Sequence, residues 1–443
     1  MLKLEYNIYI ATDCSKQIMI KLTRKQRYKT IAITNLGAVI EWFEFSLYGY
    51  LATYISILFF PEEDRTVALI SVFGVFAASY IMRPLGGFFF GSLGDRFGRR
   101  FAIKLSMLVM CIPMLIMSIM PTYNFAGIIA IFILVFARML QGFSVGGEYT
   151  GVLIALAEGS SPKYRGFTTA LAGLSSQIGV VLSAITVGVL ANILTNEQML
   201  DYGWRIAFFI GFILALISTL LQQKAKESPF FKEAKKANKL SKTPLRDAFK
   251  GAKMPLIWTF TLSGYVGIAY YMMAAFLPNI LISSRHFDTS DIMLITAVVA
   301  SVYAIVSQLF GWLSDIWGRK PLLLIPIVIL IIVSYPLFYL FETGSLFAIL
   351  IAEIVMALII SAMTASFQIV VSELFPTSHR YSGMSAAYNL GNAVFAGTTP
   401  MIAIWLTSTF DSSFCACLYL VLASIITLIL IIKMPETRFS KAF

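Results

Sequence analysis

The sequence predicts an all-α membrane protein with twelve transmembrane helices in two six-helix, pseudo-symmetric halves. Three observations carry this expectation. Of 443 residues, 58% are hydrophobic and only 13% charged, against about 45–50% and about 25% in soluble globular domains. Too little polar surface remains to coat a soluble particle. Mean hydropathy is +0.81, and apolar runs long enough to cross the hydrocarbon core as helix recur along the whole chain. None alternates polar and apolar as the strands of a membrane barrel would. Finally, motifs that follow the second and fourth runs return after the eighth and tenth.

The runs read as spans 30–60, 68–92, 101–120, 125–157, 167–194 and 204–221, then 255–282, 292–313, 322–341, 346–372, 381–407 and 414–432. Lys and Arg mark the ends of every second loop: seven before the first span, four from Arg96 to Lys104, then Lys163 and Arg165, ten from Lys224 to Lys253, Arg319 and Lys320, Arg380, and three at the end. The opposite loops hold only Arg65, Arg205 and Arg285. Basic residues stay in the cytosol, so both termini are expected there, and the net charge of +11 needs no nucleic acid to explain it. Residues 1–29 read as a cytosolic tail without a signal peptide. Residues 30–223 form the first half, 224–253 a central cytosolic loop, 254–433 the second half, and 434–443 a cytosolic tail. Cys14, Cys111, Cys415 and Cys417 have no metal-ligand spacing and read as packing residues.

The two halves repeat. Gly91-Ser-Leu-Gly-Asp95-Arg96-Phe-Gly98-Arg99-Arg100 follows the second span, and Gly311-Trp-Leu-Ser-Asp315-Ile-Trp-Gly318-Arg319-Lys320 follows the eighth. Glu158 precedes Arg165 by seven residues, as Glu373 precedes Arg380. Both motifs keep their order at matching topological positions, as an internal repeat requires.

The Gly-x-x-x-Asp-Arg-x-Gly-Arg-Arg motif, its second copy, Arg138-x-x-Gln141-Gly142 and Pro435-Glu436-Thr437 resemble the major facilitator superfamily. More narrowly, Glu41-Trp42-Phe43-Glu44-Phe45-x-x-Tyr48-Gly49, Arg83-Pro84-Leu85-Gly86-Gly87, Gln141-Gly142-Phe-Ser144-x-Gly146-Gly147-Glu148-Tyr149, Glu227-Ser228-Pro229-x-Phe231 and Glu373-Leu374-Phe375-Pro376-Thr377 resemble its metabolite:proton symporter family. Members of that family include proline/betaine, citrate, α-ketoglutarate and shikimate carriers. The chain departs from the family pattern at Glu44 (usually Asp), Ala38 (often Asn) and Ala207 (commonly Pro). It ends seven residues past Glu436, so osmotic sensing through a long C-terminal coiled coil is not expected. The resemblance implies the major facilitator fold, a multi-pass protein of the bacterial cytoplasmic membrane, and secondary transport. Its partners would be a small organic solute, a proton and membrane lipids, with the monomer as the working unit.

Six ionisable residues lie clearly within the apolar depth: Glu41, Glu44, Arg83, Arg138, Glu148 and Glu353. Each would cost about 2.5–3.5 kcal/mol facing lipid, so they are expected to face the interior. At about 1.5 Å per residue, Glu41, Glu44 and Arg138 share mid-bilayer depth, which makes Glu41 and Glu44 the candidates for proton coupling and pairs one of them with Arg138. Glu353, roughly 12 Å below the outer surface, reads as a substrate contact opposite Arg138 across a shared cavity, an arrangement that suits a zwitterion. A dicarboxylate or tricarboxylate would want two cations, with Arg83 as the second. Trp42, Tyr48, Tyr270, Tyr271 and Tyr388 offer faces for a quaternary ammonium, and Gln177 and Asn389 are further candidate contacts. Arg83 and Glu148, matched in depth nearer the cytosol, read as gate residues with Asp95, Arg96, Arg99, Glu158, Asp315, Arg319 and Glu373. In that reading the motif carboxylates cap a neighbouring helix N-terminus while the basic residues hold acidic helix ends.

No phosphate-binding Gly-x-x-x-x-Gly-Lys-Ser/Thr loop is present, so transport is not driven by ATP and no cofactor or metal is expected. The two histidines, His286 and His379, lie in opposite loops and cannot meet, which argues against an enzyme. A membrane sensor on the same fold would need an appended domain. The best-supported function is proton-coupled uptake of a small organic solute, of the proline or betaine type ahead of α-ketoglutarate or citrate.

Overall fold

A computed structural model describes residues 24–438 apart from 62–63, 98, 147, 159, 161, 223–252, 286 and 376–379. The expected linker 224–253 and both histidines therefore lie almost wholly outside the described residues. Within them the chain is helical, without strands. Ten helices are long and apolar enough to cross a membrane. The first helix and the shorter apolar stretch Lys104–Ile119 complete the twelve.

In chain order, α1 is Arg24–Tyr50, continued by Ala52–Phe59; α2 is Arg65–Phe97; α3 is Arg99–Ile119; and α4 is Ile128–Val145, continued by Glu148–Glu158. Next come α5, Arg165–Ile193, and α6, Trp204–Gln222. The second half holds α7 (Lys253–Tyr271, continued by Leu277–Arg285), α8 (Thr289–Trp317), α9 (Pro321–Glu342), α10 (Leu346–Glu373), α11 (Arg380–Gly391, continued by Thr399–Thr409) and α12 (Phe414–Ile431). Twelve crossings return the chain to the face it left, here called the terminal face; the opposite one is the far face.

Turn chemistry explains several boundaries. The Thr195 hydroxyl accepts from Gln198 N while the Gln198 side chain accepts from Thr195 N, a capping box that starts the helical turn before α6. Gly318, with φ of +103°, ends α8 in a conformation that only glycine adopts readily. The repeated motif is thus less of a loop than expected. Its first seven residues in each copy are the last two turns of α2 and α8.

Polarity is arranged for a bilayer. Phe132, Ile305, Ile332 and Ile429 point outward, whereas Glu41, Glu44, Arg83, Arg138 and Glu353 are buried. The charged groups face protein, as the insertion cost demands. The halves meet where α5 packs on α8 and α2 on α11. Within the first half, α2 and α4 touch backbone to backbone. A Cβ on Gly86 would strike the Phe143 carbonyl, one on Gly142 the Ser79 carbonyl, and one on Gly146 the Arg83 carbonyl. Small residues permit such close crossings. Both α7 and α11 widen into single π-turns, at Met272–Phe276 and Asn392–Ala396, a local irregularity often found at functional sites.

Candidate functional site

An aromatic cavity lies between the halves, lined by α1, α4, α5, α7, α8, α10 and α11. Trp42 meets Tyr149 and Tyr270 edge-on, with centroids 6.2 and 5.7 Å away. Tyr270 continues to Tyr303 at 5.9 Å, and Tyr388 lies between Tyr149 at 5.8 Å and Phe367 at 6.0 Å. Edge-to-face rings fix one another's orientation. Two amides then hold the cage from opposite halves: Gln177 Nε2 donates to the Tyr270 hydroxyl at 3.3 Å, and Gln368 Nε2 to the Tyr149 hydroxyl at 2.9 Å. The space is about 50 Å³ measured over the centres of water-sized spheres, room for about three to five waters. Among the described residues its lining contains no Lys, Arg, Asp or Glu.

The charges stand beside the cage, within the first half. The Arg138 Nη1 donates to Gln141 Oε1, and Gln141 Nε2 donates to Glu44 Oε2 at 3.2 Å. Gln141 is one helical turn after Arg138, so both reach the same face of α4, and an amide can accept from the guanidinium while donating to the carboxylate. Arg138 lies over the Tyr48 ring, 4.1 Å from its centroid. Arg83 lies over Tyr80 at 4.1 Å and Phe45 at 4.2 Å, and Arg138 is 5.0 Å from the same Phe45. Ring faces stabilise cations away from water. Glu41 is close enough to Arg83 for an electrostatic interaction. The Tyr80 hydroxyl hydrogen-bonds the Tyr271 hydroxyl, which joins this cluster to the cavity wall.

At the terminal face the second motif copy bridges the halves. Asp315 accepts hydrogen bonds from Gly166 N and Phe167 N, both 2.9 Å, at the start of α5. Arg319 Nη1 donates to the same carboxylate at 2.8 Å. Glu373 has Arg165 Nη1 and Arg319 Nε each at 3.5 Å and accepts from the Thr437 hydroxyl at 2.7 Å. Glu436 accepts from Arg319 N and Lys320 N, both 2.9 Å. At the far face the bridges among the described residues are neutral. Asn279 Nδ2 donates to Gly49 O at 2.8 Å, the Thr53 hydroxyl donates to Asn279 Oδ1 at 3.4 Å, and the Tyr54 hydroxyl reaches Thr289 Oγ1 at 3.3 Å.

This architecture has relatives. Residues 30–255 match the family described as Sugar (and other) transporter, and residues 264–442 the Major Facilitator Superfamily. A proline/betaine transporter of Escherichia coli K12 is 32% identical over 418 residues, covering 92% of this chain and 83% of that protein. The chain belongs to the major facilitator superfamily. A glycine betaine/proline/ectoine/pipecolic acid transporter of Dickeya dadantii is likewise 32% identical, with the same coverage. Two solved superfamily structures share the fold. They are a D-xylose-proton symporter (TM-score 0.75, 20% identity, 94% of this chain and 99% of that one) and the E. coli xylose transporter XylE in a partially occluded inward-open conformation (TM-score 0.76, 18%, 94% and 99%). The protein is a multi-pass membrane transporter and not an enzyme.

Against the sequence reading, the superfamily fold collects Trp42, Gln177, Tyr270, Tyr271 and Tyr388 around one cavity and regroups the rest. Arg138 and Glu353 do not oppose each other across it: Arg138 is stacked on Tyr48 in the first half, while Glu353 borders a separate, smaller void. Glu353 follows Arg138 by 215 residues, as Glu373 follows Glu158, but equivalent chain position in the two halves does not fix the direction in which a side chain points. Tyr48 donates to Val72 O at 3.0 Å and cradles Arg138, away from the cavity lining. Asn389 donates to Gly146 O at 2.8 Å, tying α11 to α4, and Asn392 one turn later takes its place in the lining. Arg83 lies with Arg138 around Phe45, and α2 runs on to Phe97, past the expected span end at 92. Of the gate candidates, Asp315, Arg319 and Glu373 come together as described. The side chains of Asp95, Arg96, Arg99, Glu148 and Glu158 lie outside the described residues. Sequence reasoning passed over Gln141, Tyr149, Tyr303, Gln368 and Asn279. Gln141 and Tyr149 were signalled by sharing motifs with Arg138 and Glu148; the other three had no local signal.

Proposed function

We propose that the protein is a proton symporter for a zwitterionic solute of the proline and betaine type, working as a monomer in the bacterial cytoplasmic membrane with its terminal face in the cytosol. The Lys and Arg bias of the terminal-face loops supports that orientation. One observation carries the substrate class: the cavity is a cage of aromatic rings and neutral amides, without a charged lining residue among those described. Rings attract an ammonium or quaternary ammonium through their faces. A net-neutral solute needs no counter-charge, whereas a tricarboxylate would leave several charges unmatched in a dry site. The names of the relatives point the same way.

Coupling follows from the cluster beside the cage. The solute carboxylate competes for Arg138 or Arg83, each of which has an acidic neighbour on α1 through Gln141 or directly. A carboxyl displaced from its arginine takes a proton, so solute and proton load together. Glu44, reached through Gln141, is the favoured carrier, and Glu41 its alternate. About 2.3 kcal/mol per charge per 100 mV supports roughly a fiftyfold gradient.

The test compares Glu41→Gln and Glu44→Gln in proteoliposomes. At least one is expected to lose accumulation driven by a pH gradient and to keep solute counterflow. If both keep pH-driven accumulation, the α1 assignment is wrong. A second reading rests on Arg83 and Arg138 flanking Phe45, a pair that could hold two carboxylates. Competition for uptake decides between them: glycine betaine and proline are expected to compete better than α-ketoglutarate or citrate, and the reverse order favours the second reading.

A further inference from the structure

Next to the aromatic cage is a void of about 10 Å³ over the centres of water-sized spheres, room for about one water. It is enclosed by α1, α5, α7, α8 and α10. Glu353 points into it from α10. The residue is 1% exposed, and among the described residues its Oε1 has no hydrogen-bond partner and no charged side chain acts on it. The titratable groups facing it are Tyr50 on α1 and Tyr270 on α7. The walls contributed by α5 and α8 are neutral. On α9, Tyr335 and Tyr339 point outward and Glu342 is bound to Ser413; on α4 and α11, Tyr149 and Tyr388 belong to the aromatic cage.

An ionised carboxylate closed into such a place has no counter-charge, and charges buried without one are strongly disfavoured. Three ligands could resolve this. A trimethylammonium group or a proline ring is far larger than one water and does not fit the void. A metal cation takes about six or more oxygens, and the lining offers one carboxylate and the single oxygens of Tyr50, Gln177, Tyr270 and Thr296 in room for about one water. A proton needs no room and no further ligand.

We propose that Glu353 is a second proton-binding site, filled as the far-face seam closes over it. Tyr50 follows Gly49, whose carbonyl is clasped by Asn279 across that seam, so a wall of the void is next in the chain to a contact that joins the halves. Gln177 and Tyr270 line both the void and the aromatic cage, and through them the state of Glu353 reaches the solute. The proposal rests on the symport reading and adds a carboxyl in the half opposite the α1 pair.

Two measurements test it, on wild type, Glu353→Gln and the conservative Glu353→Asp. Infrared difference spectra of the purified protein across a pH jump require no solute. A carboxylic-acid carbonyl band that is present in wild type, absent in Glu353→Gln and retained with a shift in Glu353→Asp supports the site. Identical spectra in wild type and Glu353→Gln overturn it. In proteoliposomes at equal pH on both sides, labelled-proline counterflow by wild type is expected to fall by more than about tenfold per pH unit on the alkaline side, as two proton sites require, while Glu353→Gln, which keeps the α1 carboxyls, falls by no more than about tenfold per unit. A wild-type slope in Glu353→Gln, or restoration of alkaline wild-type counterflow by Na⁺ at fixed pH, overturns the proton assignment. Failure of wild type to exchange proline at any pH sinks the substrate reading alone, since the infrared arm still decides Glu353.

Discussion

The two ends of the seam between the halves are closed by opposite chemistry. At the terminal face a buried carboxylate, Asp315, caps the start of α5 and holds Arg319, with Glu373 and Arg165 behind. At the far face one amide and three hydroxyls make neutral hydrogen bonds. Charge-assisted bonds are roughly twice as strong as neutral ones, and the terminal face holds several of them around Asp315 and Glu373. The terminal face is therefore the firmer closure. The far face can open on the loss of a few bonds, each worth about 0.5–1.5 kcal/mol. A symporter loading from the far face gains from this difference, because the weaker end yields first and the stronger one yields only after the solute is enclosed.

Breaking the strong end should have the largest effect. Asp315→Ala leaves Arg319, itself 1% exposed, without its nearest carboxylate at a cost of about 3 kcal/mol, about a hundredfold shift away from the terminal-closed state. Uptake is expected to fall at least about tenfold with normal protein in the membrane. Normal transport at normal expression would show that this network does not hold the seam. Asp95→Ala sharpens the comparison within the repeat. If the first motif copy does the same work, uptake drops as severely while the protein stays in the membrane, and full uptake would remove Asp95 from the gate. At the weak end, Asn279→Leu loses the clasp on Gly49 and should raise the rate of thiol labelling at an engineered far-face cysteine by about five- to thirtyfold, for about 1–2 kcal/mol. Unchanged labelling would mean that another contact closes this end. Thr53→Val removes only the 3.4 Å bond and is expected to alter labelling by less than about threefold. An effect equal to that of Asn279→Leu would make Thr53, not Asn279, the clasp.

The same contrast explains what could be read beforehand. The charged terminal-face seam was legible because its parts sit in a repeated motif with fixed spacing, and Asp315 caps α5 much as that spacing suggested. The neutral clasp was not legible. Asn279 is one amide in an apolar helix, and only the fold brings it to the Gly49 carbonyl. Depth arithmetic placed Glu41, Glu44 and Arg138 at one level, and the structure links two of them through Gln141. The same arithmetic ended the second span at 92, whereas the charged motif that seemed to end it is itself helical to Phe97. Apolar run length fixed the number of helices, since bilayer thickness sets it. Which aromatic residues meet was beyond sequence, because a ring packed in one helix pair and a ring lining a cavity have the same composition.

The backbone contact between α2 and α4 limits how the two buried arginines can move. Gly86, Gly142 and Gly146 leave no side-chain layer between these helices, so neither can slide or roll on the other without a collision. Arg83 and Arg138 ride on this welded pair, and their guanidinium groups keep a nearly constant separation however the halves tilt. The arginines act as a fixed ruler. Whatever changes during a transport cycle must then be read by the parts that shift against it: the acids of α1, and the Tyr271 hydroxyl that reaches across from α7 to Tyr80.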